Sequence, residues 1–164
     1  EVTLRTPVAL DAIRAMKAVP GAVVGAGTVA DERGLAQALE AGAQFVVSPG
    51  LTEPLARAAA RERVPFLPGI ATAGDIMRGL DLGLTHFKFF PAVAAGGIPV
   101  LKALAAPFAQ CRFCPTGGIG PDEAPDWLAL DAVLCVGGTW VAPRGPVHSE
   151  NVTRLAREAA GLKR

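Results

Sequence analysis

Short apolar runs rich in β-branched and aromatic residues recur along the chain. Each is followed by a stretch whose apolar positions return every three to four residues. The strand-like runs are residues 22–26, 44–48, 65–68, 86–90, 112–115 and 132–136, and residues 1–5 read as the end of one more. Their spacing is roughly 20 to 26 residues, the length of one strand-loop-helix-loop unit. Helix start signals fall between them: Asp31-Glu32 before Leu35 and Leu39, Thr52-Glu53-Pro54 before Leu55, and Pro121-Asp122-Glu123 before Trp127 and Leu128. Residues 7–17 read as the helix after the first strand. Ser149-Glu150-Asn151 opens a last helix with Val152, Leu155, Ala159 and Leu162 on one face.

Seven strands, each followed by a helix, predict an α/β fold with parallel strands. Right-handed repetition at this period makes either an open doubly wound sheet or a closed eight-stranded barrel. The first run opens on Glu1 in mid-strand, so a barrel requires one more βα unit and the start of this strand. We therefore expect residues 1–164 to be a single barrel domain lacking the first βα unit and the start of strand two, its natural N-terminal segment missing.

Composition narrows the partners. Half the residues are hydrophobic (51%), which suits a parallel sheet covered on both faces. Sixteen basic and fifteen acidic side chains leave a net charge of +1, so nothing favours a nucleic-acid partner. Apolar runs such as 22–30 are too short for a membrane span, which takes about 20 residues. Three cysteines make no disulfide framework, and a cytoplasmic location is expected. Cys111 and Cys114 form a C-x-x-C, but inside a strand its members face opposite sides, and no second pair completes a zinc site. Gly25-Ala26-Gly27-Thr28-Val29-Ala30 fits the dinucleotide pattern G-x-G-x-x-A, yet the next strand ends without the acid such sites need. The two histidines are not spaced as metal ligands, and no G-x-S-x-G elbow is present.

The candidate chemistry lies in His86-Phe87-Lys88-Phe89-Phe90-Pro91. Strand alternation points Lys88 and Phe90 one way and Phe87 and Phe89 the other. Desolvation among phenylalanines favours the neutral amine, the form that attacks a carbonyl carbon. The competing reading is an edge lysine whose stem packs while its ammonium reaches solvent. In run 1–5, Glu1, Thr3 and Arg5 share a face. Strands two and six of a barrel contribute to the same interior layer, so Glu1 could face Lys88 and exchange protons there. Arg5 could clamp a carboxylate, or Glu1 and Arg5 could form a structural ion pair. Thr116-Gly117-Gly118 and Gly137-Gly138-Thr139 follow the last two strands, where barrels often bind phosphate through exposed backbone N–H groups.

Together EVTLRT, VGAGTV, SPGLTEP, PGIAT, FKFFPA, RFCPTGGI and VGGTW resemble the bacterial 2-keto-3-deoxy-6-phosphogluconate (KDPG) and 4-hydroxy-2-oxoglutarate aldolase family, in order along nearly the whole chain. The resemblance implies a trimeric (β/α)8 TIM barrel and a class I, metal-independent aldolase without a cofactor. Lys88 would form the Schiff base and Glu1 act as general acid and base. Arg5, Thr28 and Lys88 would hold the pyruvate part, with Pro49 and Phe90 shaping the pocket wall. Thr116, Gly117, Gly118, Gly137, Gly138 and Thr139 would surround the aldehyde end and its phosphate. Thr139 stands where many relatives carry serine, and the hydroxyl is kept. The substrate is expected to be a keto-acid sugar phosphate. Alternatives are 4-hydroxy-2-oxoglutarate or the phosphogalactonate epimer as main substrate, or a non-catalytic phosphosugar-binding barrel.

Overall fold

The computed structural model describes residues 1–143 and 145–162. The chain forms two compact units, Glu1–Lys88 and Phe89–Arg164. In the first unit the order is β1 (Val2–Thr3), α1 (Ala9–Lys17), β2 (Gly25–Gly27), α2 (Glu32–Glu40), β3 (Phe45–Val47), α3 (Glu53–Arg61), β4 (Phe66–Leu67), β5 (Gly69–Ile70) and α4 (Ala73–Asp81). Strand β6 (His86–Phe89) closes the first unit with its first three residues and opens the second with Phe89.

Strands β1 to β4 form a parallel sheet in sequence order, with Val2 opposite Ala26, Gly25 opposite Phe45 and Val46 opposite Phe66. This neighbour order is what right-handed βα repetition produces. One face of the sheet packs on the helices: Ala26 and Val46 join Ile13, Val24, Val29, Leu35, Ala38, Leu55 and Ala58 in one buried cluster. The other face carries Glu1, Thr3, Gly25 and Gly27. Helix starts follow the local chemistry. Asp31 caps α2 by accepting from Gly34 N at 2.7 Å, and Thr72 with Asp75 forms a reciprocal capping box on α4.

In the second unit α5 (Gly97–Ala105) leads to β7 (Arg112–Pro115), α6 (Ala124–Leu128) and α7 (Ser149–Ala160). Phe89 O accepts from Thr116 N at 2.9 Å, and Ala92 N donates to Thr116 O at 2.8 Å. The Phe89 ring meets Trp127 of α6 at 6.3 Å between centroids.

Three expectations change. The run at 65–68 becomes two short strands, because Pro68 has no N–H for the ladder and breaks it before Gly69. Its carbonyl is still used, accepting from Lys88 N at 2.8 Å. Residues 132–136 form no strand, only bridges of Phe113 to Val133 and Thr116 to Gly137. The partner offset grows from 20 to 21 between those bridges (133 − 113, then 137 − 116), so one extra residue bulges out and interrupts the ladder. Run 1–5 stops being a strand at Thr3: Arg5 N turns back to Thr3 O at 2.8 Å. Arg5 is therefore a turn residue, and alternation with Thr3 does not set its direction.

Candidate active site

Strand β6 is buried over its last three residues. Phe87 and Phe89 are fully buried, and Lys88 between them is only 6% exposed. Among the described residues Lys88 is the one charged residue classed as buried. An edge lysine reaching out to solvent does not fit that burial. Phe87 finds its space against α4 because Gly79 has no side chain: a Cβ there would come within 2.6 Å of the ring. Helix packing thus holds the strand on which Lys88 sits.

Also in the first unit, Glu1 directly precedes β1, and its carboxylate lies against the backbone of Gly27 in β2. The residue is exposed overall, as is Arg5. Among the described residues no ion pair joins Glu1 to Arg5, whereas pairs such as Arg57 with Glu53 and Arg154 with Glu158 lie on helix surfaces. Thr28 follows Gly27 with φ of 60°, a left-handed conformation that costs a β-branched residue roughly 1–3 kcal/mol. Such strain kept at a hydroxyl-bearing residue at a strand's carboxyl end is typical of a functional position. Pro49 is exposed in the loop after β3. The sequence reading missed two residues that hold this loop. Ser48, 1% exposed, donates its hydroxyl to Gly50 O at 2.6 Å. Gly69 lets the Pro49 carbonyl pack against β5; a Cβ there would collide with the Pro49 carbonyl and come within 2.8 Å of Gly50 N. A cavity of about 420 Å³ opens elsewhere, at the amino ends of β3, β4 and β6, and holds none of these residues.

The second unit brings its glycine loops together. Thr116 pairs with Gly137 across adjacent strand ends, and Gly137 N donates to Pro115 O at 2.8 Å. Gly137 has to be glycine, since a Cβ would sit 2.9 Å from Thr116 Cγ2. Gly117 and Gly118 are both left-handed, with φ of 104° and 83°, and face Phe90 and Val93 at close range. The Trp140 ring lies over Gly138, and Thr139 is exposed.

One pairing escaped the sequence reading. Cys114 does not act with Cys111, which is buried and whose thiol burial pushes up. Cys114 instead donates a hydrogen bond to Cys135, and this lowers the Cys135 thiol to about 7 against the opposing effect of burial. The growing strand offset, readable only from coordinates, brings these two together. Among the described residues no cluster of His, Cys, Asp or Glu could hold a metal ion, and no helix is long and apolar enough to cross a membrane.

The family model for KDPG and KHG aldolase matches residues 1–158. The KHG/KDPG aldolase of Escherichia coli K12 is 56% identical over 163 residues, covering 97% of this chain and 76% of its own. The crystal structure of the 2-keto-3-deoxy-6-phosphogluconate aldolase of Zymomonas mobilis ZM4 with 3-phosphoglycerate is 57% identical. It matches with a TM-score of 0.97 over 99% of this chain and 78% of that one. The Legionella pneumophila KDPG aldolase, solved with pyruvate captured as a covalent carbinolamine intermediate, matches at 41% identity and a TM-score of 0.90, over 99% of this chain and 80% of that one. The fold class is accordingly the TIM-barrel type of α/β fold found in these enzymes. With identities this high over almost all of its length, the chain belongs to the KDPG and KHG aldolase family.

Proposed function

We propose that this protein is a class I carbon–carbon lyase that cleaves 2-keto-3-deoxy-6-phosphogluconate to pyruvate and glyceraldehyde 3-phosphate through a Schiff base on Lys88. The observation that carries the reading is the burial of Lys88 between two fully buried phenylalanines. Burial keeps the amine away from bulk water, the setting in which a lysine can act as a Schiff-base nucleophile. The covalent carbinolamine of the Legionella relative is the intermediate such an amine forms with a keto acid.

Lys88 Nζ attacks the C2 ketone, and the carbinolamine loses water to give an iminium. The C4 hydroxyl then passes its proton to the Glu1 carboxylate as the C3–C4 bond breaks. The electrons of that bond move into an enamine, which the iminium nitrogen accepts, and glyceraldehyde 3-phosphate departs. The enamine takes a proton at C3, and water hydrolyses the iminium to release pyruvate and the free amine. The nitrogen is the electron sink, so no step calls on a metal.

Arg5 and the Thr28 hydroxyl bind the keto-acid carboxylate, and Pro49 and Phe90 form walls. Thr116, Gly117, Gly118, Gly137, Gly138 and Thr139 take the aldehyde end and its phosphate. These glycine loops favour a phosphorylated substrate over 4-hydroxy-2-oxoglutarate, although the family and the E. coli relative's name include both. Comparing kcat/KM on the two substrates decides the order. The reading includes a cytoplasmic homotrimer, for which sedimentation of the purified protein is the measure.

Borohydride trapping tests the central step. Reduction with pyruvate present should add one pyruvate-derived mass to the peptide carrying Lys88, and Lys88→Met should abolish it. An adduct undiminished in that variant would end the reading.

A further inference from the structure

Gly27 is a glycine with no conformational reason to be one. Its φ is not among the left-handed values of the chain, and it sits inside β2, opposite Thr3, with its carbonyl accepting from Leu4 N at 2.8 Å. A glycine in a strand interior weakens the strand, so something must require the missing side chain. What stands in its place is the Glu1 carboxylate. A Cβ on Gly27 would fall 2.6 Å from Glu1 Cδ and 3.2 Å from Oε2, and would collide outright with Oε1. The register explains the meeting. Thr3 faces Gly27, and Glu1 is two residues back on the same face, so its side chain leans forward along the strand onto the Gly27 backbone. Two residues earlier on that face, Gly25 makes room for the Phe45 ring instead. The two glycines therefore serve different neighbours, and only Gly27 serves a group assigned to proton transfer.

We infer that Gly27 is a positioning residue: its bare backbone sets the place of the Glu1 carboxylate, and any side chain there displaces the proton carrier from the reacting atoms. This rests on Glu1 being the acid and base of the reaction proposed above. The displaced atoms are the far end of a flexible side chain, so the fold tolerates G27A while proton transfer does not. A carboxylate misplaced by about 1 Å costs on the order of 10²-fold in rate.

The test is a double-mutant comparison of E1D and G27A in the enzyme, with kcat and KM read separately. G27A should lower kcat by roughly 10- to 100-fold and move KM by less than about threefold. E1D alone should lower kcat, because the carboxylate is drawn back by one methylene. In the G27A background E1D should instead raise kcat, since the shorter side chain clears the added methyl. A merely structural role for Gly27 does not predict that change of sign. Native kcat in G27A, or an E1D penalty of the same size in both backgrounds, would overturn the inference. E1Q separates the two levels: if E1Q keeps native kcat, Glu1 is not the proton carrier and the mechanism itself fails; if E1Q is inactive and G27A is not, only the role of Gly27 fails. Failure of G27A to fold would also overturn the inference, since the added methyl meets only the far end of the Glu1 side chain.

Discussion

Three helices of the first unit end in the same motif, and one of them uses the wrong residue for it. After α2, Gly42 N donates to Leu39 O at 2.9 Å and Ala43 N to Ala38 O at 2.9 Å. After α3, Arg63 N donates to Ala60 O and Val64 N to Ala59 O, both at 3.1 Å. After α4, Gly83 N donates to Leu80 O and Leu84 N to Gly79 O, both at 2.9 Å. These are Schellman caps, and each needs a left-handed residue at its turning point. The three turning residues have φ of 96°, 54° and 76°, and the middle one is arginine. A non-glycine residue pays about 1–2 kcal/mol in that conformation. Glycine gives back about 0.4–1 kcal/mol through the greater freedom of the unfolded chain. Arg63→Gly should therefore stabilise by about 0.5–1 kcal/mol. Arg63 is exposed and takes part in no ion pair among the described residues, so no ion pair is lost.

At roughly 2–4 °C per kcal/mol for a chain of this size, Tm should rise by about 1–4 °C. The urea midpoint should rise with the slope unchanged. Gly83→Ala is the reciprocal change. Nothing lies within 4 Å of a Cβ there, so its loss of stability is conformational alone and should be of similar size. Gly42→Ala is less clean, because the new Cβ would press on Lys17 Cγ at 3.3 Å. A urea midpoint that falls in R63G, or rises in G83A, refutes the reasoning.

Two further outcomes are expected. Gly79→Ala should destabilise by about 1–2 kcal/mol although alanine is the better helix former, because the new methyl meets the immobile Phe87 ring; a rise in Tm on calorimetry would show that propensity decides there. Cys135 should be the first thiol alkylated by iodoacetamide, with a rate midpoint near pH 7: the thiolate reacts, and at pH 7 it is about half the population for a pKa of 7 but roughly 1% for a pKa of 9. C114A should move that midpoint up toward the ordinary thiol value, and peptide mass spectrometry showing Cys111 or Cys114 modified first would contradict the assignment.

How much of this was legible in the sequence depends on the range of the interaction. The apolar run at 86–90 marked the strand whose Phe87 and Phe89 are buried, while alternation alone left open whether Lys88 reaches solvent; its burial appears only with the coordinates. The caps at Asp31 and the proline start at Thr52 were equally local. Pro68 is visible too, but the apolar run around it hides the break that it makes in the ladder. Arg5 was misplaced because nothing in EVTLR announces that the strand ends at Thr3; the Arg5 N to Thr3 O turn appears only with the coordinates. The Cys114–Cys135 pair depends on a one-residue change of register, and the fit of Glu1 on Gly27 depends on a pairing of strands 24 positions apart (27 − 3). Such contacts leave no periodic trace. The string Gly25-Ala26-Gly27 fits the dinucleotide pattern, which only the missing acid excludes, since a glycine that makes room for a neighbour and one that approaches a phosphate look the same in sequence.

The caps and the proposed catalysis meet in one geometric rule. Each left-handed residue is followed three positions later by a strand: 42 by β3 at Phe45, 63 by β4 at Phe66, and 83 by β6 at His86. Each helix thus leads into the next strand at the same spacing, and a one-residue change of register there would turn every side chain to the opposite face. For β6 this matters chemically, because Lys88 is reactive only if its amine shares the desolvated side; shifted by one, a phenylalanine would take its place. The turn that leads to the proposed Schiff-base lysine lies five residues upstream, at Gly83, and the packing of Gly79 on Phe87 holds the strand itself. Gly83→Ala then has a second consequence worth measuring. If the cap only stabilises, kcat with the folded variant should match the native enzyme. If the cap also holds the register of β6, borohydride trapping should slow in proportion to the population in which Lys88 is displaced, even at temperatures where the variant is fully folded. We expect the first result, because the Lys88 N to Pro68 O bond and the buried phenylalanines hold β6 independently of its entry turn; slowed trapping in folded G83A would show that reasoning to be wrong.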